Sequence, residues 1–547
     1  MLGARRSFVG ALATAIAFAG ATVAQSPSPA PPGLPVGHER LLRAGDEPGN
    51  WLMYGGDYRS HHYSRLNQIT AENVGKLRAK WIYQLHRSKV ETTPIVVDGV
   101  MYLTRPQSDV IALDAETGRA LWSYEHKLSH RVYVCCGEVN RGLAILGTTL
   151  YLTTLDAKLV ALDARSGRVL WKKDLADPGL NYTATGAPLA IKDKVIVGIA
   201  GAEGGIRGFL DAYDAKTGER VWRFWTIPAP GEPGNDTWGG DSWRHGGAST
   251  WITGSYDPEL NLVYWGTGNP GPDYNGDSRP GDNLYSCSLL ALDLDTGKLR
   301  WHFQFTPHDT RDYDATQVPV LLDSSFGGQK RKLVVLPNRN GFHYVLDRVT
   351  GEFLLAKAYV KQTWAKEIDA KGRPVPNPGQ EPTPEGNESI FPGVDGGNNW
   401  MSPSYSAATG LLYFNAREER RRFFKTDAPE FRPGEAFFGG GGGGGARFRP
   451  EESWGRLIAM VPETGEVRWE RRILTPPWAG ALSTAGNLVF SATPSGNFYA
   501  VDARTGKELW HFPGGDRVYA SPITFLARGK QLVTLPIGDV LIAFGLD

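Results

Sequence analysis

Cysteine is scarce in this chain: 547 residues carry only three, and no Cys-x-x-Cys-His run occurs. That excludes a disulfide-stapled scaffold and covalent c-type haem attachment. Charge of one sign is also lacking. Lys and Arg number 59 against 58 for Asp and Glu, so no net field directs the chain to nucleic acid or an anionic membrane. Helical periodicity is weak and strands do not alternate with helices, which argues against a βαβ architecture. "GTGNPG", 266–271, formally fits the dinucleotide fingerprint, but Pro270 and Pro272 leave no room for a helix to open there. The seven-glycine run 439–445 fits it trivially. His61 and His62 lie in a polar stretch without metal spacing.

What is present points to a large core: 41% hydrophobic residues and 17 Trp argue against disorder. Arg5 and Arg6 precede an apolar, alanine-rich run from Phe8 to Ala21, and small residues lead to a cleavage point near Ala24. This reads as a signal peptide over 1–24, which places the mature chain in the periplasm. The run falls short of the ~20 residues a membrane anchor needs, and no later stretch looks transmembrane. A Pro-rich linker, 25–49 and containing "SPSPAPPGLP", should be extended.

Two of the cysteines are adjacent in "RVYVCCGEVNRG", 131–142. Neighbouring Cα atoms are about 3.8 Å apart, below the usual disulfide span of roughly 4.4–6.8 Å. A Cys135–Cys136 bond would be a strained ring rather than a general staple; two buried thiols in a strand are the alternative. An oxidising compartment allows the bond to persist and leaves Cys287 over.

Seven segments repeat one pattern: "ALDAETGRALW" at 112, "ALDARSGRVLW" at 161, "AYDAKTGERVW" at 212, "ALDLDTGKLRW" at 291, "VLDRVTGEFLL" at 345, "AMVPETGEVRW" at 459 and "AVDARTGKELW" at 500. "NVGKLRAKW", ending at Trp81, is a degraded eighth copy. Each reads as an alternating strand, a tight Asp-x-x-Thr-Gly turn and a second strand ending in an aromatic. Spacing near fifty residues fits a four-stranded blade. The chain is therefore expected to be all-β, an eight-bladed β-propeller over 50–547, with the terminal Trp packing between blades.

The repeats, with "YGGDYRSHHYSRLNQITAENVGKLRAKW" near the start, resemble the PQQ-dependent quinoprotein alcohol dehydrogenases from about Asn50 to the C-terminus. The most specific parts are the vicinal Cys pair, "GAEGGIRG", "GTGNPGP", "TPHDTRDYD" and "NRNGF", in family order. The resemblance implies pyrroloquinoline quinone (PQQ) near the propeller axis, one face covered by a Cys135–Cys136 disulfide and the other by Trp251. It places Glu91, Arg141, Thr185 and Ser249 around the cofactor rim, with Ala200, Gly201 and Ala202 nearby and Asn399 and Trp478 as further contacts. For each rim residue alone, an ordinary structural hydrogen bond is the bland reading.

Glu203, Asn269 and Asp312 offer hard oxygens from different repeats, which suit a large cation such as calcium and not zinc. Asp314 follows two residues after Asp312; in a strand both carboxylates would face one ion. A second Asp there resembles the lanthanide-dependent branch, so a lanthanide(III) ion is expected, with Ca2+ as the alternative and an Arg-paired or solvated Asp314 as the bland reading. The implied reaction is oxidation of an alcohol to an aldehyde by hydride transfer to metal-bound PQQ. Asp312 would be general base and Arg339 would stabilise developing charge. A soluble c-type cytochrome is the implied electron acceptor, with a homodimer as an assembly left open.

Departures narrow the substrate. Arg311 replaces an aromatic residue before the catalytic Asp and should reshape the pocket. The end "LPIGDVLIAFGLD" lacks the Gly-Gly-Trp segment of methanol enzymes. Residues 426–452 read as a mobile insertion and "REERRRFFK" as a solvated face. The rival readings are a non-catalytic propeller scaffold, which would not need the Cys pair, Glu203 or Asp312, and a PQQ-dependent sugar or aldehyde dehydrogenase.

Overall fold

A computed structural model describes residues 35–86, 89–129, 132, 134–387, 390–442 and 452–547. Eight antiparallel sheets follow one another along the chain as blades of a propeller. The first seven span 95–124, 144–174, 189–225, 255–304, 320–358, 404–473 and 482–513. The eighth takes three strands from 523–545 and its outer strand, Arg78–Gln84, from the beginning of the chain. Ile82 pairs with Ile542 across that closure, so the degraded N-terminal repeat is the missing quarter of the last blade. Middle strands such as Leu262–Gly266 are buried throughout, because neighbouring blades cover both their faces. Outer strands such as Val169–Asp174 alternate between half-buried and exposed.

The repeated turn explains why blades dock alike. Asp114 accepts hydrogen bonds from the backbone N–H groups of Glu116 and Thr117 and from the Thr117 hydroxyl, an Asx turn that leaves Gly118 at φ +71°. The same Asp-to-Thr bonds recur at Asp214, Asp293 and Asp502. With no Cβ on the glycine, the indole of the preceding blade lies directly on it. A Cβ on Gly297 would stand 2.6 Å from Trp222. The indole N–H then donates to the turn: Trp81 to Ala115 O, Trp122 to Ala164 O, Trp222 to Leu294 O, Trp301 to Arg348 O and Trp469 to Ala503 O. The fifth repeat ends in Leu355 rather than Trp, and the Lys357 stem occupies the place above Gly465.

A segment near the N-terminus ties the ring together at its axis. Val36 bridges Gly147 of the second blade, and Trp51 exchanges two backbone bonds with Val96 of the first. Tyr58, Arg59, His61 and Ser64 then bond to Ala190, Tyr256, Leu321, Tyr405 and Ala485 in blades three to seven. His62 Nε2 reaches Pro522 O, before the eighth. His62 is therefore fully buried, not part of a polar surface loop, and burial lowers its pKa to about 4. The segment 35–49 is also folded rather than a linker. It contains the helix His38–Leu42, buries Val36, Leu41 and Ala44, and pairs Arg40 with Glu47 and Asp98, each at 2.8 Å. Residues 1–34, with the expected signal peptide, lie outside the described residues. Among those described, no helix is long and apolar enough to cross a membrane.

The "REERRRFFK" stretch is not a solvated face. Arg417, Glu418 and Glu419 are buried, with Arg417 paired to Glu419 at 2.7 Å and its guanidinium 3.7 Å over the Trp478 ring. The described part of the expected insertion, 426–442, is packed as well. Gly440–Gly442 pairs with Phe423–Lys425, Phe437 N–H donates to Glu203 O, and Phe431 stacks on His245 with centroids 3.9 Å apart.

Gly297→Ala forces a side chain into a left-handed turn and into the Trp222 ring, for an expected loss of about 3 kcal/mol. Gly465→Ala meets only a flexible lysine stem and should lose about 1 kcal/mol. Urea unfolding of the two variants checks the ordering; equal losses would contradict indole docking as the inter-blade constraint.

Candidate active site

The loop entering each blade's innermost strand passes over the axis, and those loops deliver most of the expected site. Glu91, Arg141, Thr185, Ser249 with Trp251, Asp312 with Asp314, Asn399 and Trp478 precede the inner strands of blades one to seven. Tyr519 precedes that of the eighth. A second set comes from the hairpins between the second and third strands of three adjacent blades. Ala200, Gly201 and Glu203 follow Lys194–Gly198, Asn269 follows Leu262–Gly266, and Arg339 follows Gln329–Pro337. Glu203, Asp312, Asp314 and Arg339 therefore all come from blades three to five. Together the loops enclose a cavity of about 420 Å3 lined by Glu91, Cys135, Cys136, Arg141, Thr185, Ala200, Gly201, Glu203, Ser249, Trp251, Asp312, Asp314, Arg339, Asn399 and Trp478.

Two expected residues stand behind this lining. Ala202 is buried at the start of the turn Ala202–Gly204 that presents Glu203. Asn269 is buried, and its backbone N–H donates to Asp314 Oδ1 at 2.7 Å. Arg311 does not shape the cavity: its guanidinium turns away to Glu381 Oε1 at 2.8 Å and to Gln380 O at 3.0 Å.

Cys135 and Cys136 form a vicinal disulfide. Its sulfurs and a Glu203 oxygen lie within 4.8 Å of one another, so it lies against that carboxylate. Both sulfurs being bonded to each other, the trio is not a thiolate metal site. Lys89, at the rim, donates to Cys136 O. Below, Arg141 is paired with Glu91 at 2.7 Å, donates to Thr185 Oγ1 at 2.8 Å and lies 4.6 Å over the Trp251 ring. Trp400 stacks on Trp478 with centroids 4.5 Å apart, and Tyr54 from the axial segment shares an apolar cluster with Trp251 and Trp400.

Asp312 and Asp314 converge, but not as neighbours on a strand. Residues 311–314 form no strand, and Asp312 sits at φ +60°, a conformation Asp tolerates. The Asp309 carboxylate fixes this loop by accepting from the N–H groups of Arg311 and Tyr313. Tyr313 points away, its hydroxyl on Pro392 O, and the flanking carboxylates meet at Arg339. The guanidinium contacts Asp312 Oδ2 at 2.8 Å and Asp314 Oδ2 at 2.7 Å, and Val394 O holds it from behind at 2.7 Å and 2.9 Å. Trp251 Nε1 donates to the same Asp314 oxygen at 3.1 Å.

Burial, with Asp314 nearby and Arg339 opposing, pushes Glu203 up to about 7. Burial also raises Asp312 and Asp314 despite Arg339. Arg339 is held protonated: burial disfavours its charge, and the two aspartates outweigh that. Asp312 Oδ1, Asn399 Oδ1 and Arg141 Nε have no hydrogen-bond partner among the described residues. Carboxylates without enough cations, unpartnered polar atoms and flat walls of disulfide and indole fit a planar polar group together with a metal ion.

Sequence reasoning missed Lys89, Tyr274, Val394, Asp395, Trp400, Phe438 and Tyr519, all of which line the cavity. For Trp400 and Tyr519 a signal existed: both stand where a loop enters an inner strand, the position that yields Trp251 and Trp478. Phe438 comes from the segment expected to be a mobile insertion and had no such signal.

Fold and site define an eight-bladed propeller with a carboxylate-rich axial cavity. The sequence model of the PQQ-linked glucose/ethanol/alcohol dehydrogenase β-propeller domain matches residues 51–377 and 449–533. The chain is 37% identical over 532 residues to the quinoprotein alcohol dehydrogenase PedH of Pseudomonas putida, covering 92% of this chain and 88% of that protein. Among solved structures, quinohemoprotein alcohol dehydrogenase ADHIIG of P. putida superposes with a TM-score of 0.88 at 38% identity, covering 93% and 82% of the chains. A europium-containing methanol dehydrogenase superposes with a TM-score of 0.86 at 34% identity, covering 93% and 100%. The chain belongs to the PQQ-dependent quinoprotein alcohol dehydrogenases.

In the range between the ordinary glutamate value of 4.5 and about 7, folded Glu203 keeps a proton that the unfolded chain has released. Stability of the metal-free chain should therefore fall as pH rises through that range. Melting temperatures recorded from about pH 5 to about pH 8 check this. A cation that binds the cluster should abolish the decline; a metal-free profile that rises across the range would contradict the account.

Proposed function

We propose that the chain oxidises a primary alcohol to its aldehyde in the axial cavity, with PQQ between the Cys135–Cys136 disulfide and Trp251 and with a trivalent lanthanide held by Glu203, Asn269, Asp312 and Asp314. The observation that carries this reading is Asp312. One of its oxygens is tied to Arg339 while Oδ1 has no hydrogen-bond partner among the described residues, in a residue that lines the cavity.

When bound, the metal–quinone pair supplies the electrophile that accepts a hydride. The chain supplies the rest. Asp312 Oδ1 takes the hydroxyl proton of the alcohol, and burial raises its proton affinity above that of an ordinary aspartate. Arg339 holds the other Asp312 oxygen, which fixes the carboxylate plane, and turns the same cation toward charge that develops in the cavity. Arg141, Thr185, Ser249 and Asn399 orient the polar rim of the cofactor. The disulfide and Trp251 exclude water from its faces. Val394 and Phe438 give the cavity an apolar wall that favours an alkyl or aryl alcohol over methanol. The choice of lanthanide over calcium rests on charge: three carboxylates lining one cavity attract a trivalent ion more strongly than a divalent one.

The N-terminal Arg5–Ala24 pattern supports export to the periplasm. A separate soluble c-type cytochrome as electron acceptor is supported by a relative, the 1-butanol dehydrogenase (cytochrome c) of Thauera butanivorans, 39% identical over 524 residues.

Asp312→Asn should fold and bind PQQ but reduce an artificial dye with kcat lowered at least about 100-fold, the usual weight of a general base. Near-normal dye reduction would remove Asp312 from the chemistry. The chain reconstituted with lanthanum should be more active than with calcium, and Asp314→Ala should shrink or reverse that ratio. Equal activity with the two ions, unchanged in Asp314→Ala, would place the enzyme on calcium.

A further inference from the structure

The charged run "REERRR", 417–422, has no part in the reaction as described, yet its first residue is built into the back of the cavity wall. Arg417 lies on the strand Leu411–Glu419 and is buried. Its guanidinium reaches several partners at once. The guanidinium carbon lies 3.7 Å over the Trp478 ring, and Nη1 donates to Pro477 O at 2.9 Å. Nη2 donates to Glu419 Oε2 at 2.7 Å and to Asp395 Oδ2 at 3.3 Å. The backbone N–H of Arg417 adds a bond to Gly397 O at 2.8 Å. A guanidinium is costly to take out of water, so it is kept where its planar fork joins partners that nothing smaller could span.

Two of these partners lead to the cavity. Trp478 lines it directly. Asp395 also lines it, and its carbonyl accepts from Asn399 Nδ2 at 3.0 Å. An amide whose NH2 is committed to one acceptor presents its oxygen elsewhere. Asn399 lines the cavity, and its buried Oδ1 has no hydrogen-bond partner among the described residues. Glu419 holds Arg417 from the other side and is shared with Arg421 at 2.9 Å. Arg417 therefore ties the loop entering blade six to the loop entering blade seven, and each loop carries a cavity-lining side chain.

We propose that Arg417 is a positioning residue of the cofactor cavity: one buried guanidinium holds the Trp478 ring and the Asp395–Asn399 loop in fixed relation, and so sets the width of the cavity between Trp478 and Asn399. The proposal rests on the reading of the axial cavity as the PQQ site. Arg417 itself does not line the cavity, so its effect on a bound quinone passes through those two side chains. A lysine cannot replace it, because a point charge on a flexible stem neither lies flat on an indole nor spans three acceptors.

The test titrates PQQ into the full chain, with lanthanum and calcium both supplied, and reads binding by the quenching of tryptophan fluorescence. Arg417→Lys keeps a charge beside Glu419 and loses the fork; its dissociation constant for PQQ is expected to rise about tenfold, within the range by which members of one contact network act on each other. Asp395→Asn breaks the same bridge at its half-buried end and should raise the constant about threefold; it decides the matter should Arg417→Lys fold poorly. A general loosening of the fold would weaken binding in every background. In a Trp478→Leu, Asn399→Ala background, Arg417→Lys should instead raise the constant no further. Unchanged PQQ affinity in both single variants, or the same added loss in the double background, with PQQ bound normally by the unmutated chain, would overturn this inference alone. Failure of the unmutated chain to bind PQQ would overturn the cofactor reading and this inference with it.

Discussion

Four carboxylates, those of Glu203, Asp273, Asp312 and Asp314, act on one another in a buried volume at the propeller axis, and among the described residues one guanidinium, Arg339, pairs with two of them. Removing several anions from water costs several kcal/mol each unless cations or protons compensate. Arg339 compensates in part, and burial drives the remainder toward protonation. The surrounding contacts hold this arrangement against its own repulsion: Val394 O fixes the guanidinium, Asp309 fixes the turn at Asp312, and Trp251 and the Asn269 backbone fix Asp314. A site built this way is poised for a metal ion.

The propeller makes such a site tolerable. Each blade presents one loop to the axis, so groups distant in sequence are brought together on rigid sheets. The docking of an indole on a glycine turn sets the angle between neighbouring blades, and the outer strand Arg78–Gln84 closes the ring. The axial segment from Val36 to Ser64 then bonds to every blade, and its Tyr54 shares an apolar cluster with Trp251 and Trp400. Rigidity of this kind holds a base and its orienting cation in place before substrate arrives, which is the condition for efficient proton transfer.

The architecture was legible in the sequence because each blade repeats a local chemistry: an Asx turn, a glycine with positive φ and an aromatic strand end. The eighth blade could be read from Trp81 alone. Most of the candidate site was legible through resemblance, and the structure gathers those residues around one cavity. Three features were not legible, each for a physical reason. Asp312 and Asp314 converge through a left-handed turn held by Asp309, where alternation along a strand had been the expected cause. Arg417 and Glu419 read as surface charge because the aromatic neighbour of Arg417, Trp478, is remote in the chain. Segments 35–49 and 426–442 looked like linker and insertion from their Pro, Gly and charge content, yet a few buried anchors, Val36, Leu41, Phe431 and Phe437, are enough to fix them.

The most direct test of this account is a crystal structure of the chain with PQQ and a lanthanide, with the ion located by its anomalous scattering. The account predicts one strong anomalous peak within coordination distance of Glu203, Asn269, Asp312 and Asp314, with the quinone plane between the Cys135–Cys136 disulfide and Trp251. A peak away from these four residues, or a quinone bound outside the axial cavity, would contradict it.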